Sequence, residues 1–222
     1  APTRWHTIWD LRGSLASLLM RAQTRHFYTK QPQAIPKVMQ YAQAFGIDTL
    51  PYPTLWPRPH DILEAQRLLP DGTRYLIFAP IANWEPKEWP LAHFIALAQR
   101  MLQEGFQGYR PVIVCAEHER HRAAPMLEAL AAYAPVDLTD GRAHLLTIYA
   151  AMQRAHGFIG NDSGLMHMAA AASIPTLGLF GPTPARIYQP WGVRAAAIEA
   201  PGHILAHLTP HDVYAACLRW VE

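Results

Sequence analysis

Residues 158–182 read F-I-G-N-D-S-G-L-M-H-M-A-A-A-A-S-I-P-T-L-G-L-F-G-P, and this stretch decides the fold. Phe158 and Ile159 end an apolar strand. Asn161, Asp162, Ser163 and Gly164 supply turn and cap chemistry, with Asp162 or Ser163 in the cap position. Leu165 to Ala172 is a run of good helix formers without a β-branched residue. Ser173-Ile174-Pro175 stops it, because proline cannot continue a helix and pushes its predecessor toward extended geometry. Thr176 to Phe180 is a short buried strand, and Gly181-Pro182-Thr183 turns the chain again. A short helix between two apolar strands is a β-α-β unit, so the two strands are expected to run parallel.

Such a unit places its polar turn at the carboxyl end of the first strand, where open α/β sheets bind ligands. The helix start offers free N–H groups and about half a positive charge, which suits phosphate. The N–H groups of Ser163 and Gly164 are candidates to hold it, and Gly164 lets a ligand approach closely. Asp162 repels phosphate, so its expected work is to order the turn or to hold hydroxyls of the ligand. His167, one turn into the helix, can face the same cleft and donate to a ligand bound there. The residues of a generic β-α-β turn leave a plainer alternative open, a capped core helix with a surface histidine.

Alternating strands and helices extend in both directions. Strands are expected at Tyr75 to Ala79, Pro111 to Cys115 and Val136 to Leu138. Helices are expected at Leu91 to Gln103, through Met126 to Ala132, at Leu145 to Gln153 and at Pro210 to Val221. This is a parallel sheet with helices on both faces. The amino-terminal part is harder to read. Trp5 to Leu11 is a candidate strand ending at Arg12-Gly13, and Ser14 caps a helix from Leu15 to Ala22. Ala34 to Phe45 is a further helix, stopped by Gly46. Leu50 to His60 is proline-punctuated and reads as a linker, with Asp61 to Leu69 leading into the second domain.

Composition bounds the function. The chain has 222 residues, half of them hydrophobic, enough for a sizeable core. A net charge of +2 indicates no dedicated nucleic-acid surface. Neither a membrane-spanning apolar run nor a signal peptide is visible in these residues. Cys115 and Cys217 have no metal-like spacing and read as reduced thiols of a cytoplasmic protein. No metal site or cofactor is expected, since the histidines lack ligand spacing and no D-x-D pair is present.

The segment N-D-S-G-L-M-H-M-A-A-A, followed by P-T-L-G-L-F-G-P-T, resembles glycosyltransferase family 9, the heptosyltransferase-like enzymes of lipopolysaccharide assembly. The resemblance runs from Tyr75 to Glu222. It implies two Rossmann-like domains in the GT-B arrangement, with residues 61–222 as the nucleotide-sugar-binding domain and residues 1–60 as a partial acceptor-side domain and linker. The A-N-W-E-P-K-E-W-P loop is similar to the family's A-x-x-x-x-K-x-W-P loop, whose lysine meets the donor diphosphate. Lys87 fits, since an ammonium on a flexible stem is a good point charge for phosphate. Asn83 can donate to the same phosphates, and Trp89-Pro90 would brace the loop. Glu119 resembles the family's ribose-contacting glutamate, with Glu117 as competitor and Cys115-Ala116 in place of the usual glycines. Leu165 belongs to the same donor motif, and Gly181 and Thr183 would wall the sugar pocket.

The resemblance implies an inverting, metal-independent transfer from a nucleotide sugar such as ADP-heptose to a lipopolysaccharide core or related glycan. It also implies peripheral contact with the inner membrane face. The family's R-x-S-x-x-G-D loop, with its proposed catalytic base, has no counterpart here, and the residues before Asp61 are too few for a full doubly wound domain. The chain is expected to be a fragment, to lack segments or to have lost its first domain. Asp10, at an early strand end, is the one early carboxylate available as a candidate base. A donor-binding module without transfer activity and a GT-B epimerase are the alternatives, although the acid–base carboxylate pair of an epimerase is not found.

Overall fold

The computed structural model describes residues 3–12, 14–28 and 34–220. The chain divides into two compact units, residues 1–52 and 53–222.

The first unit contains a small parallel pair. Strand β1 (Trp5–Asp10) is followed by helix α1 (Leu15–Leu19) and strand β2 (Ala22–Phe27), with Trp5 opposite Ala22 and Asp10 opposite Phe27. Helix α2 (Lys37–Ala44) follows. Helix α1 is shorter than expected, because Ala22 begins a strand instead of ending the helix. Strand β2 (A-Q-T-R-H-F) shows no apolar alternation and is mostly exposed, so pairing with β1 rather than its own pattern defines it. Gly13, where the first strand was expected to end, lies outside the described residues, as does Val221 at the expected end of the last helix.

The second unit is a doubly wound sheet. Its elements are α3 (Pro59–Leu68), β3 (Arg74–Ala79), α4 (Leu91–Gln103), β4 (Tyr109–Val114), α5 (Arg120–Ala129), β5 (Val136–Leu138), α6 (Leu145–Met152), β6 (Gly157–Asn161), α7 (Gly164–Ala171), β7 (Thr176–Phe180), α8 (Ala185–Tyr188), β8 (Ala195–Glu199) and α9 (Pro210–Cys217). The sheet order is β5-β4-β3-β6-β7-β8, and every pair is parallel. One expectation is corrected here, and one strand is added. Helix α5 starts at Arg120 and carries Pro125 inside it; burial of Ala123 and Met126 keeps the helix together across the proline. Strand β8 (A-A-A-I-E) was not foreseen, since alanine favours helix and only the open edge of β7 makes it a strand.

Side-chain alternation splits the core between the two faces of the sheet. Leu76 and Phe78 of β3 pack with Phe94, Leu97 and Met101 of α4, Met126 of α5 and Val213 of α9. Tyr75, Ile77 and Ala79 of the same strand pack with Ala65 of α3, Tyr149 and Met152 of α6, and Met166 and Ala169 of α7. Helix α3 is tied to α6 through Asp61, whose fully buried carboxylate accepts from the Arg58 N–H (2.9 Å), Arg58 Nε (3.0 Å) and Thr147 Oγ1 (3.0 Å). The Arg58 side chain, assisted by these other donors, holds the Asp61 carboxyl well below the usual carboxylate range despite the opposing effect of burial.

The centre of the sheet is tightly filled. A Cβ at Gly160 would lie 2.8 Å from the Phe158 ring and 2.9 Å from Ala79 Cβ on the neighbouring strand. Gly160→Ala is expected to lower stability by about 1–3 kcal/mol, the usual cost of overpacking, in a urea denaturation midpoint at unchanged slope. Asp61 gives a second expectation. Its depressed pKa stabilises the fold above the unfolded-state value near 3.8, and that contribution is lost as pH falls toward the folded-state value. Asp61→Asn should therefore lower the thermal midpoint at neutral pH and flatten its decline below about pH 4.

Candidate functional site

The sheet order reverses between β3 and β6. From β3 the chain winds outward through β4 to β5, and from β6 it winds the other way to β8. The crevice at such a switch point, beyond the carboxyl ends of the strands, is where these sheets bind ligands. The loops after β3, β4 and β6 meet there and enclose a cavity of about 520 Å³. Its apolar walls are Ile81, Cys115, Leu138, Ile148 and Met168, and its polar rim includes Asn83, Glu117, His118, Glu119 and Ser163. Volume and lining both match a small-molecule site.

The turn after β6 borders this cavity through Ser163, Gly164 and Leu165. Ser163 occupies the N-cap position of α7, yet its hydroxyl makes no capping bond, and Asp162 is turned elsewhere. Ser163 Oγ is buried without a hydrogen-bond partner. A Cβ on Gly164 would meet nothing within 4 Å, so the helix start opens onto free space. The first-turn N–H groups thus face the crevice without a side-chain acceptor, the arrangement that suits an anion.

Asp162, in the same turn but not among the cavity-lining residues, anchors a charged cluster. Lys87, in the 3₁₀ turn Glu85–Lys87, donates from Nζ to Asp162 Oδ2 at 2.6 Å. Thr183 Oγ1 donates to the same oxygen at 2.8 Å. Asp162 is buried and Lys87 is half-buried, so their attraction is less screened than at an open surface. His167 keeps an exposed edge on α7. Crowding by protein atoms pushes its pKa down from 6.5, Asp162 opposes that shift, and Lys87 adds to it.

The loop that carries Lys87 is held at several points. Asn161 Nδ2 donates to the Pro80 carbonyl (2.8 Å), and Asn161 Oδ1 accepts from the Trp89 N–H (2.9 Å). Glu88 accepts from the Ala82 N–H (2.9 Å) and pairs with Arg122. The fully buried Trp89 ring donates from Nε1 to the Leu208 carbonyl (2.8 Å).

The residues singled out in the sequence fall into three groups. Asn83, Glu119, Ser163, Gly164 and Leu165 line the cavity. Lys87, Asp162 and Thr183 are joined by hydrogen bonds, with His167 in electrostatic contact with the first two. Gly181 stands apart: a Cβ there would meet Leu205 at 2.9 Å and the His203 carbonyl at 3.2 Å, so it packs against the chain after β8. Glu119 spends one carboxylate oxygen on the Ala116 N–H at 3.2 Å. Asp10, in the first unit, accepts from the Arg12 N–H (2.9 Å), the Ser14 N–H (2.8 Å) and Ser17 Oγ (2.6 Å), which is the chemistry of a helix start. Sequence reasoning missed the apolar wall of Leu138, Ile148 and Met168. It also missed Glu88 and Arg122 as loop supports. Asn161 was read as turn chemistry alone. Polar residues flanking the Lys87 loop were the available signal.

Cys115 is buried in the wall, and desolvation first, with Glu119 and Asp137 adding, pushes its thiol up to about 12. It is therefore a neutral apolar surface at ordinary pH.

Known proteins share this architecture. The solved structure of ADP-heptose lps heptosyltransferase II from E. coli superimposes with a TM-score of 0.76 at 23% identity, covering 98% of this chain and 70% of that one. The family 9 glycosyl transferase from Veillonella parvula DSM 2008 gives a TM-score of 0.77 at 18% identity over 96% of this chain and 66% of that one. E. coli heptosyltransferase WaaC with ADP gives 0.73 at 21% identity over 98% and 73%. No curated protein sequence matches the chain. The family model described as glycosyltransferase family 9 (heptosyltransferase) matches residues 4–209. With nearly the whole chain inside that match and its fold shared with solved heptosyltransferases, this protein belongs to glycosyltransferase family 9.

Proposed function

We propose that the crevice binds a nucleoside-diphosphate sugar, with ADP-heptose as the donor, and that the protein transfers the sugar to a lipopolysaccharide core or related glycan with inversion. One observation carries the reading. The Lys87–Asp162–Thr183 cluster and the uncapped start of α7 flank a single turn, residues 162–164, with the apolar cavity beside it. Cavity, cation and helix terminus are the three parts that a base, a diphosphate and a leaving charge require.

In this reading the base and ribose occupy the cavity, among Ile81, Cys115, Leu138 and Met168, with Glu119 or Glu117 accepting from ribose hydroxyls. The diphosphate lies across the turn, between the N–H groups of Gly164 and Leu165 and the Lys87 ammonium. As the anomeric C–O bond breaks, negative charge grows on the leaving diphosphate, and these fixed donors stabilise it without a metal. Donor binding, before the bond breaks, would draw Lys87 from Asp162 toward phosphate and free the Asp162 carboxylate for sugar hydroxyls. The acceptor hydroxyl attacks from the opposite face and gives its proton to a base. The reaction would run on the cytoplasmic side of the inner membrane.

A second reading, donor binding without transfer, has one observation in its favour. The carboxylate of Asp10, the candidate base, is occupied by the donors of its own turn. An ADP-release assay with a heptose-free lipopolysaccharide acceptor separates the two. Acceptor-dependent release establishes transfer, and ADP binding without release favours the second.

Lys87→Ala is expected to weaken ADP binding by about 1.5–3 kcal/mol, the range for hydrogen bonds to charged groups, in titration calorimetry. An unchanged Kd would leave Lys87 as a structural partner of Asp162 alone. His167 supplies an independent readout by NMR titration of its imidazole. In the free chain it should titrate below 6.5. Bound ADP should raise that midpoint, because added negative charge favours the imidazolium. A group with a lowered folded pKa also makes the fold less stable as pH drops below the unfolded value, since the unfolded chain takes the proton first.

A further inference from the structure

Lys87 sits on a loop without a long helix or strand of its own, so something must fix where its ammonium arrives. We propose that Asn161 is the positioning residue of this loop, one buried amide that ties its two ends together and so sets Lys87 against the diphosphate. The proposal rests on the reading of Lys87 as the diphosphate contact.

The geometry is specific. Asn161 is the last residue of β6 and is fully buried. Its Nδ2 donates to the carbonyl of Pro80, where the chain leaves β3, and its Oδ1 accepts from the N–H of Trp89, where the chain turns into α4. Both bonds span more than seventy positions of sequence, at 2.8 and 2.9 Å. A primary amide is the side chain that offers a donor and an acceptor at once in this space. A carboxylate would lose the donor, and an apolar residue would strand a buried N–H and a buried carbonyl. The next residue, Asp162, holds the Lys87 ammonium at 2.6 Å. Two consecutive residues at one strand end therefore fix the loop's feet and its charged tip. Removal of the first should let the tip wander more than it disturbs the nucleoside cavity, because Cys115, Leu138, Ile148 and Met168 of its walls lie outside the loop that Asn161 ties.

The test compares ADP with adenosine on the full chain. Asn161→Ala should raise the ADP Kd roughly tenfold while adenosine binding stays within about twofold, by calorimetry and chemical-shift titration respectively. The double variant Asn161→Ala/Lys87→Ala should bind ADP no more weakly than Lys87→Ala, since both changes remove one contact. Should Asn161→Ala not fold, Asn161→Asp, which keeps an oxygen for the Trp89 N–H, is read by the same ADP-to-adenosine comparison with the same expected direction. The proposal is overturned by an unchanged ADP Kd beside a weakened Lys87→Ala, by equal losses for ADP and adenosine, or by additive effects in the double variant. If Lys87→Ala itself binds ADP normally, the diphosphate reading fails first and takes the positioning role with it.

Discussion

The parallel pairing of β3 with β6, from Leu76 opposite Gly157 to Ala79 opposite Gly160, is the constraint on which the rest of the second unit depends. It joins two halves of the sheet that wind in opposite directions, and it brings the loop after Ala79 beside the turn after Asn161. Gly160 and Ala79 can lie side by side because neither carries more than a methyl group, with Phe158 closing the space between them. A bulkier pair would spread the strands, and the crevice would open at its floor. The site is thus a consequence of packing at the strand ends before it is a matter of charge.

Charge then organises what packing has assembled. Asp162 receives both Lys87 Nζ and Thr183 Oγ1 on one oxygen, so the loops after β3, β6 and β7 share a single buried acceptor. An ion pair at this depth contributes little net stability, because desolvation offsets much of the attraction. Its value lies in position: a cation is held next to a helix start whose N–H groups have no side-chain acceptor. Both favour an anion at the same place. Burial, with Lys87 adding and Asp162 opposing, lowers the pKa of His167 beside this cation.

Much of this was legible in the sequence where local pattern and tertiary role agree. Helix α4, strand β5 and strand β7 fall within the bounds that apolar runs, proline and turn residues imply. Strands β2 and β8 were not legible, because polar and alanine-rich stretches become strands only when a neighbour offers an open edge. The donor-motif residues were recognisable one by one, yet the bond between Lys87 and Asp162 joins positions 75 apart, and no local pattern records it. Gly181 illustrates a different gap between pattern and neighbours. Its place in a turn at a strand end suggests a pocket wall, and the structure adds close packing against Leu205 and the His203 carbonyl, which no local pattern announces.

The turn of residues 162–164 divides the crevice into parts with different physics. On one side the cavity is walled by aliphatic and thiol groups, and Cys115 and Ala116 stand where glycines are usual in the family. Under the proposed reading, side chains there would give a flat base apolar contact, and affinity on that side should follow shape and buried area. On the other side Lys87, Asp162, Thr183 and His167 offer charge and hydrogen bonds in fixed directions, and their effect depends on where charge lies in the ligand. Substitutions in the cavity should therefore act on ground state and transition state alike, whereas substitutions in the cluster should act most where the leaving diphosphate carries its greatest charge. A sheet that reverses at β3 and β6 holds the two parts in register, so that under the proposed reading a nucleoside bound on one side would deliver its diphosphate to the other.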